Sequence, residues 1–295
     1  MPTTPTLTAT FSDPALYSRI LNKSGPDVAF TPGSDFAPNI ARMANDQAFD
    51  LGEMPLATVI QALSIGRPLV VLPVVMLRRT PHLYLLAKTG QASHGPAGLR
   101  GKAIGVRSYA QTTGVWVRAV LESEFGLAVG EIRWVTSSPE PFPTLSLPSF
   151  VERSDESDFL SLLQSGAVSA AISTAANTGP DTLNPVIENP LERGEQWLAR
   201  TSILPINHVL VSTVAGMEAK GDVIAAFVDR VRSFALGDAS SAGWAGGDAL
   251  MRTRSNVDCF DGAVISASAQ FFVKQCSTQG LIGQPVDVSN WRLSE

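Results

Sequence analysis

The sequence predicts an α/β protein of two lobes, joined by two crossover strands with a central cleft between the lobes. Three observations lead to this prediction. Short β-like runs alternate with amphipathic helical runs along the chain, a pattern typical of sheets that are covered by helices. The chain has 295 residues, which is enough for two hydrophobic cores. A stretch rich in Gly, Ser and Pro over 89–98 separates a first α/β unit from a second one.

The first lobe is predicted from strands and helices at both ends of the chain. Residues 7–11 indicate a strand, and Ser12-Asp13-Pro14 then supplies a helix cap and a proline suited to the first helical turn. A short strand over 49–51 precedes a helix with Leu56, Val59, Ile60 and Leu63 on one face. The apolar run over 68–77 does not alternate, as expected of a strand that is buried on both faces.

The second lobe is predicted from the middle of the chain. Strands are expected over 103–106, 132–136 and 168–172, with helices over about 112–125 and 158–166. The strand predicted over 206–213 returns the chain to the first lobe, where residues 222–236 indicate a helix. We therefore predict lobe I as residues 1–88 plus 207–295, and lobe II as residues 89–206.

The composition limits which binding partners and which cellular compartment are expected. With 44% hydrophobic and 17% charged residues the chain is globular, and a net charge of −5 without a basic stripe argues against nucleic acid as a partner. No apolar run approaches the roughly 20 residues that a membrane helix needs. The first ten residues show no signal-peptide pattern, so the expected compartment is the cytoplasm, where Cys259 and Cys276 would be buried thiols. The composition is also compatible with a homodimer.

Two of the three histidines are the first candidates for chemistry. His82 lies just after one apolar run, and His208 lies at the start of another that is far away in sequence. If both runs are crossover strands, both histidines point into the cleft. Histidine suits proton transfer because its pKa lies near the operating pH. The alternative is that each is a hydrogen-bonded histidine at a strand end. The third, His94, is expected to be exposed in a linker.

The start of the helix predicted at Thr112 is suited to an anion. The first amides of a helix have no intrahelical partner, and the helix dipole is positive there. Arg107, Ser108 and Tyr109 precede this helix and offer a charged side chain and two hydroxyls. Nucleotide-binding and hydrolase motifs are absent from the sequence.

Two groups of motifs resemble known families. LRGK at 99–102 before IGV at 104–106, and FLSLLQSG at 159–166 before AAI at 170–172, resemble the periplasmic-binding-protein type II fold. A more specific set resembles the 4,5-dihydroxyphthalate decarboxylase family, a cytoplasmic enzyme branch of that fold. This set consists of FDLGEM at 49–54, Arg78 with His82, Tyr109 to Arg118, IRWV at 132–135 and LPINH at 204–208. The chain departs from the family's pattern at Pro81, where the family tends to carry an arginine.

The resemblance implies a lyase that decarboxylates a hydroxylated aromatic acid, phthalate-like or benzoate-like, by protonating a ring carbon during the breakdown of aromatic compounds. Under this hypothesis His82 and His208 are the acid and base, and Glu53 orients or deprotonates. The expected ligands of the substrate's anionic oxygens are Arg78, Arg107, Ser108, Tyr109 and Thr112. Glu53 has a structural alternative, which is to cap the helix that begins near Pro55.

Two other functions remain open alongside the lyase. The same fold serves solute-binding proteins for small organic anions, and it serves other small-molecule enzymes such as those of the futalosine route to menaquinone. No cofactor is expected. Two imidazoles and a carboxylate are a common ligand set for divalent metals, so Glu53, His82 and His208 leave a metal site open, although their local spacing contains no metal-binding motif.

Overall fold

The computed structural model describes residues 6–21, 26–90, 95–156, 158–174, 183–237, 256–288 and residue 291. His94 lies outside this part of the chain. Among the described residues, no helix is both long and apolar enough to cross a membrane.

The chain divides into two compact units. Unit 1 comprises Met1–Arg78, Ile206–Gln270 and Val286–Glu295, and unit 2 comprises Arg79–Pro205 and Phe271–Pro285. The division differs from the predicted lobes in two ways. The first crossing falls at Arg78 rather than after residue 88, because residues 85–88 pair with strands of unit 2. The segment 271–285, which the sequence assigned to lobe I, belongs to unit 2.

Unit 1 is built on a five-stranded sheet with the order β2-β1-β3-β11-β4. Strands β1, β2 and β3 run parallel to one another, and β11 runs antiparallel to both of its neighbours. The strands are β1 (Leu7–Thr10), β2 (Val28–Phe30), β3 (Leu51–Pro55), β4 (Leu69–Arg78) and β11 (Ile206–Thr213). Because β1 and β3 are parallel, their carboxyl ends lie at the same end of the sheet, which is also the end at which β11 begins.

Strand β4 lies at the edge of this sheet and is irregular. Its pairing with β11 shifts register between residues 206 and 210, and Leu72 and Val75 face consecutive residues of β11. The two positions of β4 between Leu72 and Val75 have no paired residue on β11. One of them is Pro73, which has no N–H to donate. An edge strand and a bulge are the places where a sheet tolerates proline.

Four helices belong wholly to unit 1: α1 (Pro14–Leu21), α2 (Phe36–Asp46), α3 (Leu56–Ser64) and α7 (Val214–Gly237). The start of α1 follows from its sequence, since Asp13 Oδ1 accepts a 3.0 Å hydrogen bond from Leu16 N and Pro14 occupies the first turn. The core of the unit includes Phe11, Tyr17 and Phe227, whose rings stack with centroids 4.3 to 6.3 Å apart.

Unit 2 contains a six-stranded mixed sheet with the order β10-β5-β9-β6-β7-β8. Strands β9, β6, β7 and β8 are parallel, and β5 is antiparallel to both of its neighbours. The strands are β5 (Leu85–Lys88), β6 (Ala103–Val106), β7 (Arg133–Thr136), β8 (Val151–Arg153), β9 (Ala170–Ile172) and β10 (Leu183–Pro185).

The helices of unit 2 are α4 (Thr112–Phe125), α5 (Phe159–Gln164) and α6 (Pro190–Thr201). Helix α4 ends where the sequence predicts, because Gly126 adopts the left-handed conformation (φ 61°) that closes a helix. The last helix, α8 (Gly262–Thr278), contributes its final turns to this unit. There Phe271 stacks on Trp116 with ring centroids 5.8 Å apart.

Candidate active site

The best-defined polar site of unit 1 lies at the end of the sheet where β1 and β3 stop and β11 begins. Glu53 is on β3, and His208 is on the adjacent β11. The register pairs Glu53 with Leu210 and Pro55 with His208, so Glu53 and His208 lie on the same face of the sheet, diagonally across two strands. Ser12 follows β1, the strand on the other side of β3. Three neighbouring strands therefore bring these side chains together.

Hydrogen bonds join the three residues through both oxygens of one carboxylate. Glu53 Oε2 accepts a bond of 2.7 Å from Ser12 Oγ and one of 2.9 Å from Ser12 N. Glu53 Oε1 lies 2.6 Å from His208 Nδ1. The side chain of Glu53 is 3% exposed and that of His208 is 18% exposed. The carboxylate is thus buried behind an imidazole that remains in part open to solvent.

Electrostatics determine which nitrogen of His208 carries the proton. Burial pushes the pKa of Glu53 upward, but the hydrogen bond and charge of His208, together with the bonds from Ser12, outweigh burial and lower the pKa below its ordinary value. Glu53 is therefore ionised at neutral pH and can only accept hydrogen bonds. It follows that Nδ1 is the protonated nitrogen of neutral His208, and Nε2 is the one left for chemistry.

An aromatic ring stands next to this imidazole. The centroid of Phe36, at the start of α2, lies 6.0 Å from that of His208 with the ring planes inclined by 37°. The site thus combines an oriented imidazole with an apolar surface.

The sequence predicted Glu53 and His208 but not Ser12 or Phe36. Ser12 was interpreted with Asp13 as part of a helix cap, whereas only Asp13 caps α1 and Ser12 bonds to Glu53 instead. The alternative role for Glu53, capping the helix near Pro55, is not the one observed, since both of its oxygens are engaged by Ser12 and His208.

His82 lies in unit 2 and has a carboxylate partner of its own. It is fully buried in a short 3-10 turn after β4. His82 Nε2 lies 3.2 Å from Glu124 Oε2, and Glu124 Oε1 accepts a 2.7 Å bond from Arg200. Burial lowers the pKa of His82, although Glu124 opposes the shift. The predicted role of His82 as a second acid or base is not tested by this placement and stays a prediction.

Arg78, predicted to bind substrate oxygens, is fully buried at the end of β4. Its Nη1 donates a 3.1 Å hydrogen bond to Cys259 Sγ. Burial raises the pKa of Cys259 to about 11, so the sulfur is a protonated thiol at neutral pH. The predicted role of Arg78 in binding substrate oxygens is not tested by this contact and stays a prediction.

The four residues predicted at the start of α4 are together in unit 2. Ser108, Tyr109 and Thr112 are buried, and Arg107 is exposed. The hydroxyl of Tyr109 donates a 2.8 Å bond to the Gln279 carbonyl, and its ring packs under the Arg118 guanidinium at 4.1 Å. Tyr109 is therefore held in place by contacts within the unit.

A carboxylate of the chain itself binds two amides in the turn just before α4. Glu140 Oε1 accepts a 2.6 Å bond from Tyr109 N, and Glu140 Oε2 accepts a 2.9 Å bond from Ala110 N. The sequence predicted an anion at the first amides of α4, which begins at Thr112, and this contact does not test that prediction. The sequence did not indicate that Glu140, from the proline-rich loop after β7, would bind the turn before the helix.

In the part of the chain that the structure describes, no three His, Cys, Asp or Glu side chains come together as metal ligands. Glu53 and His208 form one pair, and His82 and Glu124 form another. The residues of the metal site that the sequence left open are divided between the units, with Glu53 and His208 in unit 1 and His82 in unit 2, and that site stays a prediction.

Solved structures identify the fold class. The alkanesulfonate-binding protein SsuA from Xanthomonas axonopodis pv. citri, bound to MOPS, matches with a TM-score of 0.56 and 16% identity over 99% of each chain. A mutant of DszB in complex with biphenyl-2-sulfinic acid matches with a TM-score of 0.59 and 17% identity, over 99% of this chain and 97% of that one. The fold is the periplasmic-binding-protein type II fold, as the sequence predicted.

Curated sequences narrow the relationship further. The 4,5-dihydroxyphthalate decarboxylase of Comamonas testosteroni is 30% identical over 176 residues, which are 55% of this chain and 53% of that protein. The enzyme of the same name from Pseudomonas putida is 31% identical over 137 residues, which are 43% of this chain and 53% of that protein. The chain is a distant homologue of these enzymes, and its alignments span about half of their length. No model of a protein family matches the chain.

Proposed function

We propose that the chain is a carboxy-lyase that removes the carboxylate of a hydroxylated aromatic acid, with His208 as the proton donor. The observation that carries the proposal is the pairing of His208 Nδ1 with the buried Glu53 carboxylate at 2.6 Å. This bond fixes the imidazole and leaves Nε2, on the far side of the ring from Glu53, as the nitrogen that would act on a substrate. The distant homology to 4,5-dihydroxyphthalate decarboxylases supports the same reaction class.

The proposed reaction needs one proton and no redox partner. His208, in its protonated form, delivers the Nε2 proton to the ring carbon that bears the carboxylate. A ring hydroxyl supplies electron density to this carbon. The bond between the ring and the carboxylate then breaks, its electron pair restores the aromatic ring, and carbon dioxide leaves. His208 recovers a proton from solvent. General acid catalysis of this kind contributes about 10²- to 10⁴-fold in rate.

Glu53 controls the protonation of His208 in this step. An ionised carboxylate on Nδ1 stabilises the protonated imidazole before transfer and holds the neutral ring afterwards in the tautomer that must pick up a proton at Nε2. Phe36 offers an apolar face beside the imidazole, where an aromatic ring can stack at a favourable distance. The predicted contacts with substrate oxygens belong to this proposal as predictions, and the residues concerned are Arg78, Arg107, Ser108, Tyr109 and Thr112.

The fold alone does not decide between catalysis and binding. SsuA is described as a binding protein and DszB as a desulfurization enzyme, and both share this architecture. A solute-binding protein for a small organic anion therefore remains the second candidate. The two candidates differ in one observable, the release of carbon dioxide.

The test is carbon dioxide release by the purified protein from ortho- and para-hydroxylated benzoates and phthalates. Pyridine carboxylates extend the panel, and each acid is assayed with and without a chelator. We expect release from at least one hydroxylated acid, with one solvent deuteron on the vacated ring carbon when the reaction runs in D₂O. Tight binding of an acid without any release would contradict the lyase and support the binding protein.

A further inference from the structure

Ser12 is the one member of the unit 1 site that neither the predicted chemistry nor the reaction step uses. Its amide and its hydroxyl both donate to a single oxygen, Glu53 Oε2, at 2.9 and 2.7 Å. The other oxygen of the same carboxylate is the one that meets His208. The two oxygens are thus held from opposite sides, by His208 on β11 and by Ser12 just after β1, the two strands that flank β3.

This arrangement removes the rotational freedom of the carboxylate. A glutamate with one partner can turn about its terminal torsion, which has a broad energy profile. Two donors from Ser12 hold Oε2 in place, and the planar carboxylate then has only one position for Oε1. That position is 2.6 Å from His208 Nδ1. Hydrogen bonds to an ionised acceptor are also stronger than those between neutral groups.

We infer that Ser12 is a positioning residue that fixes the tautomer and orientation of His208 through Glu53. The inference rests on the function proposed above for its kinetic consequence, but its structural consequence is independent of any substrate. Ser12 does not touch the reacting atoms. It determines which nitrogen of His208 faces them.

The chain offers a matched control two residues away. Thr10 ends β1 and is fully buried, and its Oγ1 has no hydrogen-bond partner among the described residues. Thr10→Val removes a hydroxyl from the same strand end without removing a hydrogen bond. Ser12→Ala removes the hydroxyl bond to Glu53 and leaves the amide bond in place. Ser12→Thr keeps the hydroxyl and serves as the rescue variant.

The first readout is ¹⁵N NMR of the imidazoles near pH 8, where a protonated Nδ1 and an unprotonated Nε2 give well-separated shifts. The chain has three histidines, and His208→Gln assigns the relevant pair of signals. In the unsubstituted protein and in Thr10→Val we expect His208 with the proton on Nδ1. In Ser12→Ala we expect averaged shifts that report a mixture of tautomers. Unchanged shifts in Ser12→Ala would overturn the inference.

The second readout is the pH profile of carbon dioxide release. Ser12→Ala is expected to lower kcat about 10-fold with KM changed less than 2-fold, and to move the acidic limb to higher pH because the pKa of Glu53 rises when a donor is lost. Ser12→Thr should restore both. An equal loss in Thr10→Val would show a general packing effect and overturn the inference. Altered tautomers without any turnover in the unsubstituted protein would keep the positioning role and refute the lyase.

Discussion

At the scale of single residues, the charge of Glu53 controls what His208 can do. The side chain is almost completely buried, and an ionised carboxylate is tolerated there because three donors from Ser12 and His208 surround it. A neutral side chain of the same shape would accept a weaker bond from Nδ1 and could donate to it instead. Glu53 and His208 are therefore predicted to act together in catalysis.

Glu53→Gln tests the pairing of Glu53 with His208 directly. We expect turnover to fall about 100-fold or more, since the amide can stabilise the wrong tautomer of His208, while the far-ultraviolet circular dichroism spectrum stays unchanged. Steady-state carbon dioxide release is the measurement.

Asp50→Asn is the matched control, because Asp50 also has a lowered pKa and bonds to Thr8 and Lys220 rather than to a histidine. Its turnover should remain within about 3-fold of that of the unsubstituted protein. A comparable loss in both variants would show that the effect is not specific to the histidine.

How far the site was predictable differs from residue to residue. Glu53 and His208 were predictable because a charged or titratable side chain interrupts an apolar strand, which is rare without a partner. Ser12 was not, because serine before a helix has a sufficient local explanation as a cap. The partner of Glu53 depends on strand order, with β1 beside β3, and that order is not written in any local pattern of the sequence.

At the scale of elements, the loop after β7 is held to the start of α4 by Glu140. The two amides that it binds come from consecutive residues, Tyr109 and Ala110. Arg118 fixes the same turn from within the helix, by donating a 2.7 Å bond to the Tyr109 carbonyl. Without a carboxylate the two amides would have to find water or a ligand.

Glu140→Ala is therefore expected to destabilise unit 2 by about 2 kcal/mol, the usual loss for a hydrogen-bonded charge. Glu140→Gln, which keeps one acceptor, should lose about half as much. Urea denaturation followed by tryptophan fluorescence measures the difference, since Trp116 and Trp134 are buried in this unit. A denaturation midpoint that does not move in Glu140→Ala would contradict the role assigned to this carboxylate.

The elements show which parts of the fold were accessible from the sequence. Strands β6 and β11 and helix α4 have the predicted bounds, because an apolar run or a glycine stop marks them. Helix α6 and the last helix, α8, were not assigned. Helix α6 begins at Pro190, after Asn189 and with Glu192 in its first turn, so the usual signals of a helix start are present. It is largely polar in sequence, however, and lacks the long apolar stripe that marks the other helices.

At the scale of the whole molecule, the buried ionisable groups predict how stability depends on pH. Hydrogen bonds lower the pKa of Glu53 and of Asp50, although burial opposes this in both cases. Burial lowers the pKa of His82. In each case the unfolded chain binds the proton at a higher pH than the folded chain does. The unfolded state is therefore favoured as the pH falls.

Stability should accordingly be greatest between about pH 7 and 8 and should fall in two stages as the pH is lowered. It should also fall above about pH 9, because burial raises the pKa of Cys259 to about 11 in the folded chain. The first loss begins below about pH 6.5 and comes from His82, and the second begins below about pH 4.5 and comes from the two carboxylates. Melting temperatures recorded at about pH 7.5, 5.5 and 4 measure both stages. His82→Asn should remove the first stage alone. A first stage that persists in this variant would show that another group is responsible.

The shared fold does not determine the class of reaction; the residues of the site do. The chain is structurally similar to a sulfonate-binding protein and to a desulfurization enzyme at comparable TM-scores, so the architecture supplies a scaffold and not a reaction. The oriented pair of Glu53 and His208 and the distant homology to decarboxylases are what favour catalysis.

The central claim is that His208 delivers the proton, and carbon dioxide release by His208→Gln tests it most directly. The measurement uses the acid that the unsubstituted protein turns over fastest, at saturating concentration. We expect release to fall at least about 100-fold, with affinity for the acid changed less than about 3-fold by calorimetry. Release within about 3-fold of that of the unsubstituted protein would contradict the claim and assign the proton to another group.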